Sequence, residues 1–118
     1  MTQEDKELLL KDLCTRLPYG VKINETIQGD FTVIGLTTER VFTTCETEGC
    51  HNDFPVECVK PYLFPLSSIT KKTLEELSAY IDIKNAYVAV EFFHSHHIDY
   101  RGLIEKGLAI DATGLNIY

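Results

Sequence analysis

The sequence predicts an α+β fold in which a small bent antiparallel sheet, or an SH3-like barrel, is flanked by an N-terminal helix and C-terminal helices. Apolar residues recur at helical spacing in the first 17 positions, and short alternating segments bounded by turn residues follow as far as residue 64. Helical spacing returns from residue 69. We expect one domain of 118 residues, with a helix over 3–17, a β region over 19–64 and a helical unit over 69–111.

The first helix is predicted from its ends and from its apolar stripe. Thr2 and Asp5 resemble a capping box, and Pro18 ends the helix because the residue before a proline disfavours helical backbone. The spacing i, i+3, i+4, i+7 predicts a core-facing stripe of Leu10, Leu13, Cys14 and Leu17. This stripe makes Cys14 a small buried core residue.

The β region is predicted from alternation and from turn residues. The expected strands cover 21–27, 31–36, 41–44 and 56–64, with Gly35 as a candidate bulge or close-packing site. Prolines lack the N–H group that a ladder hydrogen bond needs, so pairing near Pro55, Pro61 and Pro65 is expected only at strand edges or ends.

Three helical segments are predicted after the β region. Thr70 caps the first, which carries an inward stripe of Leu74, Leu77 and Ile81. Helical spacing is favoured over a strand for 86–97. Asp99 is the expected N-cap of a short third helix that begins at Tyr100 and stops at Gly107. The tail over 112–118 is expected to be held by Leu115 or Ile117.

Composition and charge exclude several classes of function. A net charge of −7 argues against broad nucleic-acid binding, which relies on clustered basic residues. No apolar run approaches the ~18–20 residues that span a bilayer, and the acidic start is unlike a signal peptide. The sequence therefore predicts a cytoplasmic protein without a membrane partner, in which the cysteines are reduced.

Three blocks carry a resemblance to a known family. They are LLLKDLCTRLPYGV, VKPYLFPLSSIT and HHIDYRGLIEKGLAID, which keep this order and cover about a third of the chain. Together they resemble a family of small uncharacterised proteins encoded by gut bacteria and by their prophages and mobile elements. The resemblance implies a prophage or mobile-element context and no particular activity. It does not extend to the segment 22–58.

The first candidate site lies in that segment and consists of Cys45, Cys50, His51 and Cys58. Thiolates and an imidazole there would hold Zn²⁺ tetrahedrally, with the loop wrapped around the ion. The spacing is poor for such a site, because structural zinc ligands are usually paired across about two to four residues. We therefore expect no cofactor, and reduced thiols at strand ends, with a zinc-stabilised protein as an alternative.

The second candidate site is the histidine cluster His94, His96 and His97 with Asp99. On a helix His94 and His97 share a face, and Asp99 would orient an imidazole for metal binding or acid/base chemistry. No nucleophile motif and no glycine-rich phosphate loop accompany the cluster. The competing interpretation is a polar helix end with His96 packed against the core.

The third candidate is a recognition surface of Tyr19, Tyr62, Tyr100 and Arg101, since Tyr and Arg are enriched at binding hot spots. Core packing would account equally well for the tyrosines. The favoured prediction is a small binding or interaction protein with a protein partner. The alternatives are a metal-dependent or acid/base enzyme using His94, His97 and Asp99, and the zinc-stabilised protein described above.

Overall fold

In a computed structural model of the chain, residues 1–44, 52–69, 75 and 86–118 are described. Helix α1 spans Gln3–Arg16, and the Thr2 side chain accepts a hydrogen bond from the Asp5 N–H at 3.1 Å, so the predicted helix and its cap are confirmed. The helix is followed by a 3₁₀ turn, Leu17–Tyr19, and the chain then reverses at Gly20, which has a left-handed φ of 68°.

The buried face of α1 differs from the predicted stripe. Its buried residues are Leu9, Asp12, Leu13 and Arg16. Cys14 is exposed, so the prediction that it lies in the core is wrong. The reason is that a charged pair, Asp12 and Arg16, occupies half of the buried face, and a search for apolar residues alone does not detect it.

Seven described strands form an open, bent and mostly antiparallel sheet. They are β1 (Lys22–Glu25), β2 (Gly29–Leu36), β3 (Arg40–Thr43), β4 (Asn52–Pro55), β5 (Val59–Pro65), β6 (Ile98–Asp99) and β7 (Ile110–Asp111). The order is β4-β3-β2-β1-β5-β6, and β7 also pairs with β5. Strands β6 and β7 run parallel to β5, whereas the other pairs are antiparallel. Of the two predicted architectures, the bent sheet is therefore correct and the SH3-like barrel is not.

Irregular positions of the sheet follow the sequence in part. The register between β2 and β3 shifts between Val33 and Gly35, which confirms the predicted bulge. Pro55 and Pro65 end their strands as expected. Pro61 does not, because it lies inside β5 and pairs with Ile23 of β1.

Two apolar clusters lie on this framework. The larger joins α1 to strands β1–β5 through Leu9, Leu13, Val21, Ile23, Val33, Val41, Phe54, Val56 and Val59. The smaller contains Leu63, Leu103, Leu108 and Ala109. Burial at about 25 cal/mol per Å² of apolar surface makes the larger cluster the main source of stability for the sheet.

The C-terminal part contains one described helix, α2 (Ala86–Ser95), as predicted. The helix predicted over 70–81 lies outside the described residues. The third predicted helix is wrong: residues 103–107 form turns, because Asp99 is held extended against Pro65 of β5 and Gly102 has a φ of 76°. Gly107 does adopt the expected left-handed conformation, with a φ of 74°. Neither α1 nor α2 has the length and hydrophobicity needed to cross a bilayer.

Candidate functional site

A buried ion pair connects α1 to the C-terminal part of the molecule. Asp12 and Arg16 are one helical turn apart and both are 0% exposed. The Arg16 Nε donates to Asp12 Oδ2 at 2.8 Å, and its two Nη groups donate to the backbone carbonyls of Phe93 (3.2 Å) and Ile98 (2.6 Å). A buried guanidinium needs this many acceptors to offset the loss of its hydration. The pair therefore fixes α2 and β6 against α1.

Arg101 extends the charged network toward the surface. Its Nε donates to Asp12 Oδ1 at 3.1 Å, so one carboxylate holds two guanidinium groups. The Arg101 side chain is 16% exposed. Among the described residues, the Nη groups of Arg101 make no hydrogen bond, and the guanidinium donates to Asp12 through its Nε. The ion pair with Asp12 thus holds a guanidinium whose Nη donors have no hydrogen-bond partner in the described part of the chain.

Tyr100 packs in the middle of this network. Its ring stacks on Phe93 with centroids 5.5 Å apart, and the guanidinium carbons of Arg101 and Arg16 lie 4.8 and 5.7 Å from its centroid. Such cation–π contacts stabilise the charged groups by about 0.5–2 kcal/mol each. The Tyr100 hydroxyl lies 2.6 Å from His94 Nε2.

The electrostatics of the pair formed by Tyr100 and His94 favour two neutral partners. Burial raises the pKa of Tyr100 above its usual range. Burial, followed by the positive charge of Arg16, lowers the pKa of His94. At neutral pH the hydrogen bond therefore joins a neutral phenol to a neutral imidazole, and it fixes the orientation of both rings.

A groove of about 460 Å³ opens beside these residues, and we call it the Arg101 groove. It lies at the carboxyl ends of β5 and β6, which pair in parallel at Pro65 and Asp99. In open α/β sheets, crevices at the carboxyl ends of parallel strands are common ligand sites. Its lining residues are Pro65, Leu66, Ser67, Asp99, Tyr100, Arg101, Gly102, Ile104 and Glu105.

Asp99 shapes the wall of the Arg101 groove. Its two carboxylate oxygens accept from the backbone N–H groups of Leu103 and Ile104, each at 2.9 Å. The sequence predicted acceptance from Arg101 or Gly102 at the start of a helix, and this is wrong because the chain turns instead. Asp99 therefore caps a turn instead of a helix, and both of its carboxylate oxygens accept hydrogen bonds from backbone N–H groups.

The three residues proposed for acid/base or metal chemistry have separate partners. His94 contacts Tyr100, Asp99 binds two amides, and His97 stacks on Tyr118 with centroids 3.7 Å apart. In the described residues, Asp99 makes no hydrogen bond to either imidazole. His96 is exposed and lies against Phe92, so the expectation that it packs against the core is wrong.

Of the predicted recognition residues, the structure brings Tyr100 and Arg101 together. Tyr62 is only 7% exposed and donates to Asp30 at 2.5 Å; burial, with this bond, raises its pKa to about 12. Tyr19 is half-buried and donates to Glu91 at 3.3 Å, apart from the groove lining.

The predicted zinc ligands are mostly beyond structural description. Cys45, Cys50 and His51 lie outside the described residues, and Cys58 is exposed. Across the described ranges, no three His, Cys, Asp or Glu side chains are grouped closely enough to share a metal ion.

Comparison with known proteins gives no relative. No family model matches the chain, and searches of curated proteins and of solved structures found no match either. The geometry of the site is therefore the basis for any functional proposal.

Sequence reasoning did not identify Asp12 and Arg16 as part of this site. The available signal was their i, i+4 spacing on the same helix face as Leu9 and Leu13. Their partners Phe93, Ile98 and Arg101 are 77 to 89 positions away in sequence, so spacing alone does not reveal them.

Proposed function

We propose that this protein is a binding module that takes a segment of a partner protein in the Arg101 groove. The observation that carries the proposal is the Arg101 guanidinium, which is fixed by Asp12 and Tyr100 while its Nη groups lack acceptors among the described residues. Arg and Tyr are the residue types that dominate binding energy at protein interfaces.

Preorganisation supports the proposal. A partner that binds a side chain already held in place does not have to offset the ordering of that side chain, which costs about 0.5–1.5 kcal/mol. Leu66 and Ile104 supply apolar surface next to the guanidinium, and Ser67 and Glu105 form a polar rim. This arrangement of apolar surface, anchor and rim is the usual anatomy of a protein interface.

The predicted acid/base site needs Asp99 to orient an imidazole, but the Asp99 oxygens accept from two backbone amides and, among the described residues, contact neither His94 nor His97. This favours binding over acid/base catalysis at these three residues. The prophage or mobile-element context implied by the resemblance is part of the same proposal, and identification of the partner would test it.

Affinity capture from the organism that carries the gene tests the proposal with three baits. The wild type is compared with Ser67→Arg, which places a long side chain on the exposed rim, and with Arg101→Gln, which removes the charged anchor. We expect a partner retained by the wild type to be lost, or weakened by about tenfold or more, with both variants.

The matched control is Arg40→Gln, which removes an exposed arginine paired with Asp53 on the sheet. It should retain the partner. Thermal unfolding of all four proteins shows that they are folded. A partner that all four proteins retain equally would place the interface elsewhere and refute the proposal.

A further inference from the structure

Strand β5 has an interval between the positions where β1 and β6 pair with it. Strand β1 pairs with it up to Ile23 and Pro61, and β6 joins it at Phe64 and Ile98. Continuing the antiparallel register would pair Lys22 with Tyr62. Instead, the hydroxyl group of Tyr118 lies between them: it accepts from the Lys22 N–H at 2.9 Å and donates to the Tyr62 carbonyl at 2.8 Å.

Tyr118 is 43% exposed, and its ring lies in an open slot whose walls belong to other parts of the chain. His97 forms one wall, with ring centroids 3.7 Å apart and an interplanar angle of 11°. Phe64 lies at 6.0 Å on β5, and the Lys22 Nζ is 6.0 Å from the ring centroid. We call this site the His97 slot. Its hydrogen-bonding groups at the far end are the backbone N–H of Lys22 in β1 and the backbone carbonyl of Tyr62 in β5, two strands that pair with each other and with further strands.

His97 is built into the slot at a conformational cost. It has a left-handed φ of 57°, which is uncommon for a residue other than glycine. Its carbonyl accepts from the Phe64 N–H at 2.8 Å, which ties it to β5. The ring is 6% exposed, and its Nδ1 atom has no hydrogen-bond partner among the described residues. The fold thus holds a flat, buried ring in a strained backbone position.

The segment that carries Tyr118 is weakly held elsewhere. Residues 113–116 are exposed, and Leu115, one of the two residues expected to hold the tail, is 49% exposed. Ile117 contributes through its carbonyl, which accepts from the Lys22 Nζ at 2.8 Å. Gly114 and Asn116 both have positive φ. Within the described residues, the attachment of this segment therefore depends mainly on the slot.

We propose that the His97 slot is a binding site for a planar aromatic ring bearing one hydroxyl group. Tyr118 of the same chain occupies the slot, and a tyrosine side chain of a partner peptide binds there when Tyr118 leaves. This inference is independent of the Arg101 groove. The slot supplies a stacking face, one donor and one acceptor, and a phenol matches all three.

The protonation states of Tyr118 and His97 favour an uncharged ring as the ligand of the slot. Burial raises the pKa of Tyr118 to about 12, so its hydroxyl keeps the proton that it donates to Tyr62. Burial, together with the nearby positive charges of Arg16, His96 and Lys22, lowers the pKa of His97 to about 4. Two neutral rings therefore stack at neutral pH.

The full-length variant Tyr118→Ala tests the proposal, because a tethered ring competes at an effective concentration of about millimolar. The probe is p-cresol, which reproduces the tyrosine side chain. We expect p-cresol to raise the Tm of this variant and to shift the NMR signals of Lys22, Phe64 and His97. Wild-type protein should need at least about tenfold more p-cresol for the same NMR shifts. Toluene, which lacks the hydroxyl, should bind at least about fivefold more weakly than p-cresol.

Leu115→Ala is the matched control, because it alters the same segment outside the slot and should respond as the wild type does. If Tyr118→Ala does not fold, Tyr118→Phe replaces it in the test, because this variant keeps the ring and loses both hydroxyl contacts. The p-cresol concentration needed to displace the phenyl ring of Tyr118→Phe from the slot should be at least about fivefold lower than the concentration needed to displace Tyr118 in the wild type. Failure of p-cresol to bind folded Tyr118→Ala, or equal concentrations for Tyr118→Phe and wild type, would overturn the proposal.

Discussion

Two regions of the molecule are held together by different interactions. The region of α1 and strands β1–β5 packs around the larger apolar cluster, in which most residues are 0% exposed. The region from α2 to residue 118 has a smaller apolar cluster, and it is joined to α1 by charged and aromatic contacts around Arg16 and Tyr100.

The difference matters because the two kinds of interaction respond to different changes. Apolar burial is nearly independent of pH and salt, and its loss scales with the volume removed. A buried charge is stabilising only while its partners are present, so single substitutions there have large effects. The candidate binding groove lies where the second region meets the end of β5, and its polar groups are held in place without a large core.

The strongest way to break this comparison is to remove the second region. A fragment that ends at Asn85 lacks β6, β7 and the acceptors of Arg16 from Phe93 and Ile98. We expect it to be insoluble or to lack fixed tertiary structure, because these losses exceed the roughly 5–15 kcal/mol that stabilises a domain. Cooperative melting with dispersed amide signals would show that the first region is self-sufficient.

The charged contacts are tested by a double-mutant cycle at Asp12 and Arg16. Arg16→Met should reduce the free energy of unfolding by about 3–5 kcal/mol, because it leaves the Asp12 carboxylate buried with Arg101 alone. The double change with Asp12→Leu should cost less than Arg16→Met by itself. Urea unfolding measures both, and additive losses would contradict the assignment of a buried pair.

The pH dependence of stability sharpens the comparison at His97. Burial, followed by the charge of Arg16, lowers the pKa of His97 from 6.5 to about 4 in the folded state. The unfolded chain therefore binds a proton below about pH 6.5 that the folded chain does not bind until about pH 4. The neutral His97 ring therefore contributes up to about 3 kcal/mol to the free energy of unfolding. This contribution is fully present above pH 6.5, the pKa in the unfolded chain, and is lost as the pH falls toward about 4.

This expectation is checked by urea unfolding near pH 7 and near pH 4.5. His97→Asn should lose most of the dependence, since asparagine does not titrate and tolerates a positive φ. The lowered pKa of His94 acts in the same direction and should remain. An unchanged slope in His97→Asn would assign the dependence to other groups.

A smaller effect is expected at Asp99, whose two oxygens each accept from one amide. Asp99→Ala leaves both amides without this partner and should cost about 1–3 kcal/mol. Asp99→Asn keeps one amide oxygen and should cost less. Thermal unfolding of the two variants provides the comparison, and equal, negligible losses would mean that the turn is held by other contacts.

The smallest effect is expected from the cysteines. Cys58 is exposed, and the spacing of the three cysteines is poor for a zinc site. Changing Cys45, Cys50 and Cys58 together to Ser should therefore alter the free energy of unfolding by only about 0.5 kcal/mol. The measurement is the urea midpoint, accompanied by metal analysis of the purified wild type. Stoichiometric zinc whose removal by a chelator unfolds the protein would favour the zinc-stabilised alternative.

The sequence alone determined those parts of this protein that depend on near neighbours in the chain. Thr2 caps α1 because its hydroxyl reaches an amide three residues away, and the bulge near Gly35 and the left-handed turn at Gly107 also need no distant partner. Alternation and helical spacing predicted α1, α2 and most strands for the same reason.

Tertiary structure decided the buried face of α1, the turn after Asp99 and the position of Tyr118. Arg16 is buried because acceptors more than 70 residues away satisfy its donors, and Asp99 starts a turn because β5 holds it extended. Tyr118, rather than Leu115, anchors the last segment because β1 and β6 leave an interval on β5 that fits a phenol ring. Contacts across such separations leave no periodic pattern in the sequence, so they are seen only when the chain is folded.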